Sequence, residues 1–243
     1  MRASWISDIG KIRENNEDTV FADTENGVFL LADGMGGASG GEIASSLAVR
    51  TAYDYLRGRL PRADRASVPR LLADTLASAH AALFKRSLAE PELSGMGTTL
   101  EIMAVRGEEA FICHVGDSRV YLMRDGELRQ LTTDDNMASL LVKQEHLSPE
   151  AVPPQARHIL TQAVGASESL VPEIRAIGMR HDDIIMICSD GLTGMLADRE
   201  IADIIGTCRH DLDKTAAALV QRANTRGGFD NISLILVEPA PLA

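Results

Sequence analysis

The residues in this chain best equipped for chemistry are carboxylates, and they recur in one setting. Val28-Phe29-Leu30-Leu31-Ala32 runs straight into Asp33-Gly34, and Ala110-Phe111-Ile112-Cys113-His114-Val115-Gly116 runs into Asp117. Ile184 to Ser189 runs into Asp190-Gly191, while Asp230 precedes the run from Asn231 to Val237. Glu17 and Asp18 precede Thr19-Val20-Phe21. Five apolar segments thus each carry acid at one tip. If the tips meet, like charges converge at the edge of a packed core. A pair ~4 Å apart repels by roughly 4 kcal/mol at an effective dielectric near 20. Such a cluster persists when it is protonated or neutralised by cations. Oxygen ligands without His or Cys favour Mg²⁺ or Mn²⁺ over Zn²⁺. An Asp at a strand end is also ordinary turn chemistry. That reading is kept for Asp125-Gly126, which lies between two amphipathic strands.

The run Asp33-Gly34-Met35-Gly36-Gly37-Ala38-Ser39-Gly40-Gly41 leads into a helix. It lacks the Gly-Lys-Ser/Thr ending of a nucleotide loop and the spacing of a dinucleotide fingerprint. Glycine here lets the backbone approach a metal, so that a carbonyl such as that of Gly34 can serve as a ligand.

Elements must bring these tips together. Thr19–Asp23 and Val28–Asp33 read as strands around the hairpin signal Glu25-Asn26-Gly27. Gly41–Leu56 reads as a helix with a buried stripe of Ile43, Leu47, Thr51 and Tyr55. Val68–Leu88 is a second helix, with Leu72, Leu76, Ala79 and Leu83 on one face. Thr98–Val105, Glu109–Val115, Arg119–Met123 and Leu128–Leu131 read as an antiparallel meander. Thr133–Gly165 is mixed, mostly helical or irregular, and its stretch Glu145–Gln155 holds Pro149, Pro153 and Pro154. Ile174–Ile177 and Asp183–Ser189 are strands. Asp198–Ile205 and Leu212–Arg226 are helices, with Asp198 and Asp211 as N-caps. Asn231–Val237 is a final strand. This order predicts an α+β fold of two antiparallel sheets with helices packed outside them.

Composition narrows the function. Hydrophobic residues make up 45% of the 243, enough for one large core, and with aromatics at 4% the core must be aliphatic. The net charge of −11 repels nucleic acid and anionic lipid. No run is long and apolar enough to span a membrane, and residues 1–10 lack a signal-peptide pattern, so the expectation is a cytoplasmic protein without a membrane or nucleic-acid partner. Cys113 and Cys188 sit in apolar runs and read as buried hydrophobes rather than nucleophiles. Each histidine alone (His80, His114, His146, His158, His181, His210) reads as structural or surface.

Six segments in order, Arg13-Glu14-Asn15-Asn16-Glu17-Asp18, Ala32-Asp33-Gly34-Met35-Gly36-Gly37, Gly97-Thr98-Thr99, Val115-Gly116-Asp117-Ser118-Arg119, Ser189-Asp190-Gly191-Leu192-Thr193 and Asp230-Asn231-Ile232-Ser233, resemble the metal-dependent protein phosphatases of type 2C, bacterial type. They cover the chain from Ile6 to Val237. The resemblance implies a four-layer α-β-β-α sandwich forming one catalytic domain over residues 1–243, with a flap insertion at about 133–170. It implies a binuclear Mn²⁺ or Mg²⁺ centre and hydrolysis of phosphoserine or phosphothreonine in proteins by a metal-activated water. By motif position Asp33 bridges both metals, Gly34 offers its carbonyl, and Asp190 and Asp230 complete one shell. Glu17 acts through a metal-bound water. Asp18 and Asn231 orient the ligands from behind, and Asp117 with Asp190 matches a third, weaker metal site. Arg13 matches the residue that grips the substrate phosphate. The implied partners are phosphorylated proteins and a cognate Ser/Thr kinase, and the implied state is a monomer.

Three departures stand out. Met35 occupies the place where eukaryotic members often carry His, leaving protonation of the leaving group to a water. Asp135-Asn136 and Pro153-Pro154 replace the usual Asp-His-Ser and His-Pro of the flap. The competing readings are a phosphoprotein-binding pseudophosphatase, a phosphatase of small phosphoesters, and a metal phosphodiesterase or nuclease. The intact acids oppose the first, and the acidic surface opposes the last.

Overall fold

Strands β1 (Arg2–Asp8), β11 (Ile232–Glu238), β10 (Ile184–Cys188), β7 (Arg119–Arg124) and β8 (Glu127–Gln130) lie side by side, in that order, in one antiparallel sheet. The second sheet has the order β2 (Asp18–Asp23), β3 (Val28–Met35), β5 (Leu100–Arg106), β6 (Glu109–Val115), β9 (Glu173–Gly178), with the short β4 (Gly97–Thr98) paired to the end of β3. The structure, a computed structural model, describes residues 1–145, 147–148, 151–208 and 211–239. His146, Pro149 and His210 lie outside the described residues.

The sheets pack face to face. Phe29, Leu31, Met103, Ile112, Val120, Leu122, Ile185, Ile187, Ile235 and Val237 fill the space between them. The alternate residues of the same strands point outward but are also covered. Val28, Leu30 and Ala32 meet α1 (Gly37–Leu56) and α2 (Val68–Ala89). Met186, Cys188, Leu234 and Leu236 meet α5 (Asp198–Cys208) and α6 (Leu212–Thr225). Strands buried on both faces need apolar residues at every position, which explains continuous runs in antiparallel strands where alternation is the norm. Layers of helix, sheet, sheet and helix are the architecture expected from the sequence.

Four local expectations are corrected. The four strands read as one meander are split: β5 and β6 belong to one sheet, β7 and β8 to the other. The chain changes sheet at Gly116-Asp117-Ser118, and this crossing sets Asp117 at the mouth of the sandwich. The buried face of α1 is Ala44, Ala48 and Ala52, all fully buried, while Ile43, Leu47, Thr51 and Tyr55 are only partly covered. Small side chains let α1 lie close against β3 and α2, and the larger residues flank the contact. The helix also starts earlier than Gly41. Asp198 opens α5 from inside its first turn, and its Oδ1 accepts the Tyr121 hydroxyl at 3.0 Å instead of capping backbone. Asp211 is an N-cap as expected, accepting from the Lys214 amide at 3.1 Å. Strand β1 was not foreseen. It is an edge strand in which only Ser4 is buried, so its sequence carries little apolar signal. None of the described helices is long and apolar enough to cross a membrane.

Candidate metal centre

Backbone contacts assemble the acids at one end of the sandwich. Asp18 and Asp33 stand directly opposite each other across β2 and β3. Directly opposed positions in an antiparallel pair lie about 5 Å apart at Cβ, so like charges there repel. The Gly97-Thr98-Thr99 segment fixes Asp33: its amide donates to Thr99 Oγ1 at 2.9 Å, and its carbonyl accepts from the Thr99 amide at 2.9 Å and Thr98 Oγ1 at 2.8 Å. Thr99 Oγ1 also lies 2.9 Å from Ser118 Oγ, tying the Asp117 loop to the same anchor.

The other sheet contributes through Ser189. Its hydroxyl donates to Asp18 Oδ2 at 2.8 Å and accepts from the Ser233 amide at 3.0 Å, joining the ends of β2, β10 and β11. Asp190 follows at once and opens the one-turn helix α4 (Asp190–Thr193). A Cβ on Gly191 would stand 2.0 Å from the Asn231 carbonyl oxygen, so only glycine lets α4 press against the start of β11 and set Asp190 beside Asp230. Asn231 is a cross-link. Its Oδ1 accepts the Glu17 amide at 2.8 Å, and its Nδ2 donates to the carbonyls of Ile9 and Asn15 at 2.9 Å each. Gly34 donates its amide to the Glu17 carbonyl at 3.1 Å. A Cβ on Gly41 would meet the Glu17 carboxylate at 2.6 Å, so glycine at the start of α1 makes room for that acid.

The resulting electrostatics favour protons or cations at the cluster. Burial pushes Asp33 well above the usual carboxylate range, and the charges of Asp18, Asp190, Asp117 and Asp230 push it further. Burial raises Asp18 to about 6 and Asp117 to about 7, with Asp190 adding to both. Asp190 is raised by burial and then by Asp230, and is partly relieved by a hydrogen bond from Asp33. Two carboxyls that share a proton behave this way. Burial also raises Glu17.

The residues fit a hard divalent cation. The clustered acids offer oxygen donors, and Asp18 Oδ1 is buried without a hydrogen-bond partner. Among the described residues, however, no three acidic, His or Cys side chains already converge on one point as a finished shell. Asp230 instead accepts a hydrogen bond from Arg13 Nη2 at 2.7 Å. Arg13 is thereby placed at the cluster.

A sequence profile of the protein phosphatase 2C family matches residues 12–233. The serine/threonine phosphatase stp of Listeria monocytogenes is 34% identical over 242 residues, covering 98% of this chain and 96% of that protein. The crystal structure of the Mycobacterium tuberculosis serine/threonine phosphatase PstP/Ppp superposes with a TM-score of 0.89 at 32% identity, covering 99% of both chains. A structure of the PstP catalytic domain in complex with two manganese ions superposes with a TM-score of 0.85 at 32% identity, covering 98% of this chain and 97% of that one. The chain belongs to the protein phosphatase 2C family.

Several working parts of this phosphatase domain escaped the sequence reading. Arg119 grips Asp134 with two hydrogen bonds, at 2.8 and 2.7 Å, and donates to the Tyr121 hydroxyl at 2.9 Å, fastening the root of the segment after β8. Within that segment Asn136 accepts the Ser139 amide at 2.9 Å, capping α3 (Met137–Glu145), and donates to the Arg157 carbonyl at 3.1 Å. The fully buried His114 is hydrogen bonded to Glu101 through Nδ1 and to the Thr133 carbonyl through Nε2 at 2.9 Å. His158, read as structural or surface, is exposed and shares a cavity wall with Asp190, and its charge favours the ionised form of that acid. Cys113 and Cys188 are buried, and burial pushes both thiols up, as suits inert packing.

Proposed function

We propose that this chain removes phosphate from phosphoserine and phosphothreonine in proteins, in one catalytic domain over residues 1–243 with its flap at about 133–170. One observation carries this reading: acids from both sheets meet where burial and neighbouring charges raise the proton affinity of Asp18, Asp33, Asp117 and Asp190, and a guanidinium is hydrogen bonded to Asp230 among them.

Asp33, Asp190 and Asp230, with the Gly34 carbonyl, would hold two Mn²⁺ or Mg²⁺ ions, and Asp117 with Asp190 a third. Glu17 lies at the rim, and Asp18 and Asn231 brace the ligands from behind. When bound, the cations neutralise the carboxylates and make water ionisable near neutral pH. The chain does the rest. Arg13 leaves Asp230 and takes two phosphoryl oxygens with its planar fork. Ser189 keeps the Asp18 carboxylate aimed at the cluster, and Asn231 holds the loop that carries Arg13 and Glu17. The sandwich behind them excludes bulk water, so charge developing on the phosphoryl group is met by fixed dipoles.

The acidic surface fits a cytoplasmic, monomeric enzyme in bacterial signal transduction, opposed by a Ser/Thr kinase. The test compares phosphothreonine, phosphoserine and phosphotyrosine peptides with p-nitrophenyl phosphate, each in Mn²⁺, Mg²⁺ or chelator. Metal-dependent release that favours phosphothreonine and phosphoserine supports the reading. Turnover of the nitrophenyl ester alone would assign the domain to small phosphoesters.

A further inference from the structure

The pair Glu101–His114 is buried apart from the acid cluster. The two residues are cross-strand partners on β5 and β6, both fully buried, with Oε1 of the acid hydrogen bonded to Nδ1 of the ring. By strand alternation they share the face of Met103 and Ile112, which fills the space between the sheets. The second carboxylate oxygen, Oε2, has no hydrogen-bond partner among the described residues. A buried pair of this kind adds little stability over apolar residues of the same volume.

Its placement gives it another use, because it faces the root of the segment after β8. His114 Nε2 lies 2.9 Å from the Thr133 carbonyl oxygen, which only accepts, so this nitrogen donates. It also stands 4.0 Å from Asp135 Oδ2, whose charge joins that of Glu101 in favouring a protonated ring. Asp135 in turn clasps Gly116 twice. Its amide donates to the Gly116 carbonyl at 2.6 Å, and its Oδ2 accepts the Gly116 amide at 3.1 Å. Gly116 has a φ of +117°, and a Cβ there would meet Thr99 Cγ2 at 2.5 Å. The glycine is thus wedged between Asp135 and Thr99, whose hydroxyl also holds the Asp33 amide. Asp117 is the next residue in the chain. Glu173 Oε2 accepts the Thr133 amide at 2.9 Å from the other side, so His114 supplies the contact from the core.

We infer that Glu101 and His114 are positioning residues for Asp117: through Thr133, Asp135 and Gly116 they set its aim, and with it the strength of the cation site that Asp117 completes with Asp190. The inference rests on the reading of Asp117 as a ligand and names what holds it in place. Removing a group directly behind a metal ligand typically weakens metal binding about ten- to a hundredfold. The pair acts from further back, so a smaller effect is expected.

The test titrates the whole chain with Mn²⁺ and reads free Mn²⁺ by electron paramagnetic resonance, which needs no turnover. Asp117→Ala identifies the weak binding class as the one it abolishes. The double variant E101L/H114L keeps apolar volume in the core and removes the donor to Thr133. Its weak class should bind at least about fivefold less tightly, while the tighter class changes by less than about twofold. In the Asp117→Ala background the same two substitutions should change Mn²⁺ binding no further. Glu101→Gln is the conservative rescue. Its amide can donate to Nδ1 and leave Nε2–H on the Thr133 carbonyl, so the weak class should stay within about twofold of the parent. Asp135→Ala, at a partly exposed position, breaks the clasp without touching the core and should weaken the same class. Parental weak binding in E101L/H114L or in Asp135→Ala would overturn the inference. So would equal losses in both classes, or a Glu101→Gln protein as impaired as the double variant. Unchanged Mn²⁺ binding in Asp117→Ala would instead overturn the reading of Asp117 as a ligand, on which the inference rests.

Discussion

Arg13 and Asp230, 217 positions apart in sequence, are joined by a hydrogen bond of 2.7 Å from Nη2 to Oδ2 at the mouth of the sandwich. The guanidinium holds the acid that a cation would claim, so phosphate and cations draw on the same pair in opposite directions. The Asp230 contact and the surrounding acids raise Arg13's proton affinity, so the residue stays charged under all working conditions.

Replacing Arg13 should therefore weaken substrate binding more than chemistry. A charged hydrogen bond contributes about 1.5–3 kcal/mol. Arg13→Ala should raise KM for a phosphothreonine peptide by about ten- to a hundredfold, with a smaller fall in kcat. Arg13→Lys should recover part of that loss, since a point charge cannot bind two oxygens at once. Steady-state kinetics of the three proteins check this.

Asp190→Asn should make the metal-free protein more stable. It removes a charge that Asp33, Asp117 and Asp18 all feel, while the amide can still accept the hydrogen bond from Asp33. A gain of about 1 kcal/mol corresponds to about 3 °C in a domain of this size. Thermal unfolding in chelator should show that rise, and added Mn²⁺ should stabilise the variant less than the parent.

The pair His114–Glu101 gives stability a dependence on alkaline pH. Burial alone would lower the His114 pKa, but Glu101 outweighs it and raises it from 6.5 to about 9. Burial also raises Glu101, so the pair keeps one proton throughout the neutral range. A folded pKa above the unfolded one means that this stabilisation is complete below pH 6.5 and is lost as pH rises through about 9. Melting temperatures from pH 6 to 10 should fall accordingly, and the double variant H114L/E101L should show a flatter profile. The single variant Glu101→Leu should cost about 3–5 kcal/mol, because it strands His114 in the core.

Arg119→Ala should loosen the root of the segment after β8. It removes the clamp on Asp134, to which Gln130 still donates, and the donor to the Tyr121 hydroxyl, at a cost of about 3 kcal/mol. Hydrolysis of peptides should fall further than hydrolysis of p-nitrophenyl phosphate, which is too small to reach that segment.

Much of this was written locally in the chain. Asp33, Asp117, Asp190 and Asp230 were legible because each abuts an apolar run, and runs buried on both faces are unusually uniform. The α2 stripe of Leu72, Leu76, Ala79 and Leu83 was legible because one helix face sees one environment. What could not be read depended on distant partners. Assigning β7 and β8 to the other sheet turns on the crossing at Gly116-Asp117-Ser118, whose direction has no local signature. Nothing in Leu100-Glu101-Ile102 announces that its acid will be buried against His114. Asn136 looked like a departure from a motif, yet it caps α3 and clasps the Arg157 carbonyl.

The most direct test of the central claim is phosphate release from a phosphothreonine peptide by the purified protein, with and without Mn²⁺, beside Asp190→Ala. The account predicts release that requires the metal and falls at least about a thousandfold in the variant, as loss of a catalytic cation ligand implies. Release that proceeds in chelator, or that survives in Asp190→Ala, would contradict it.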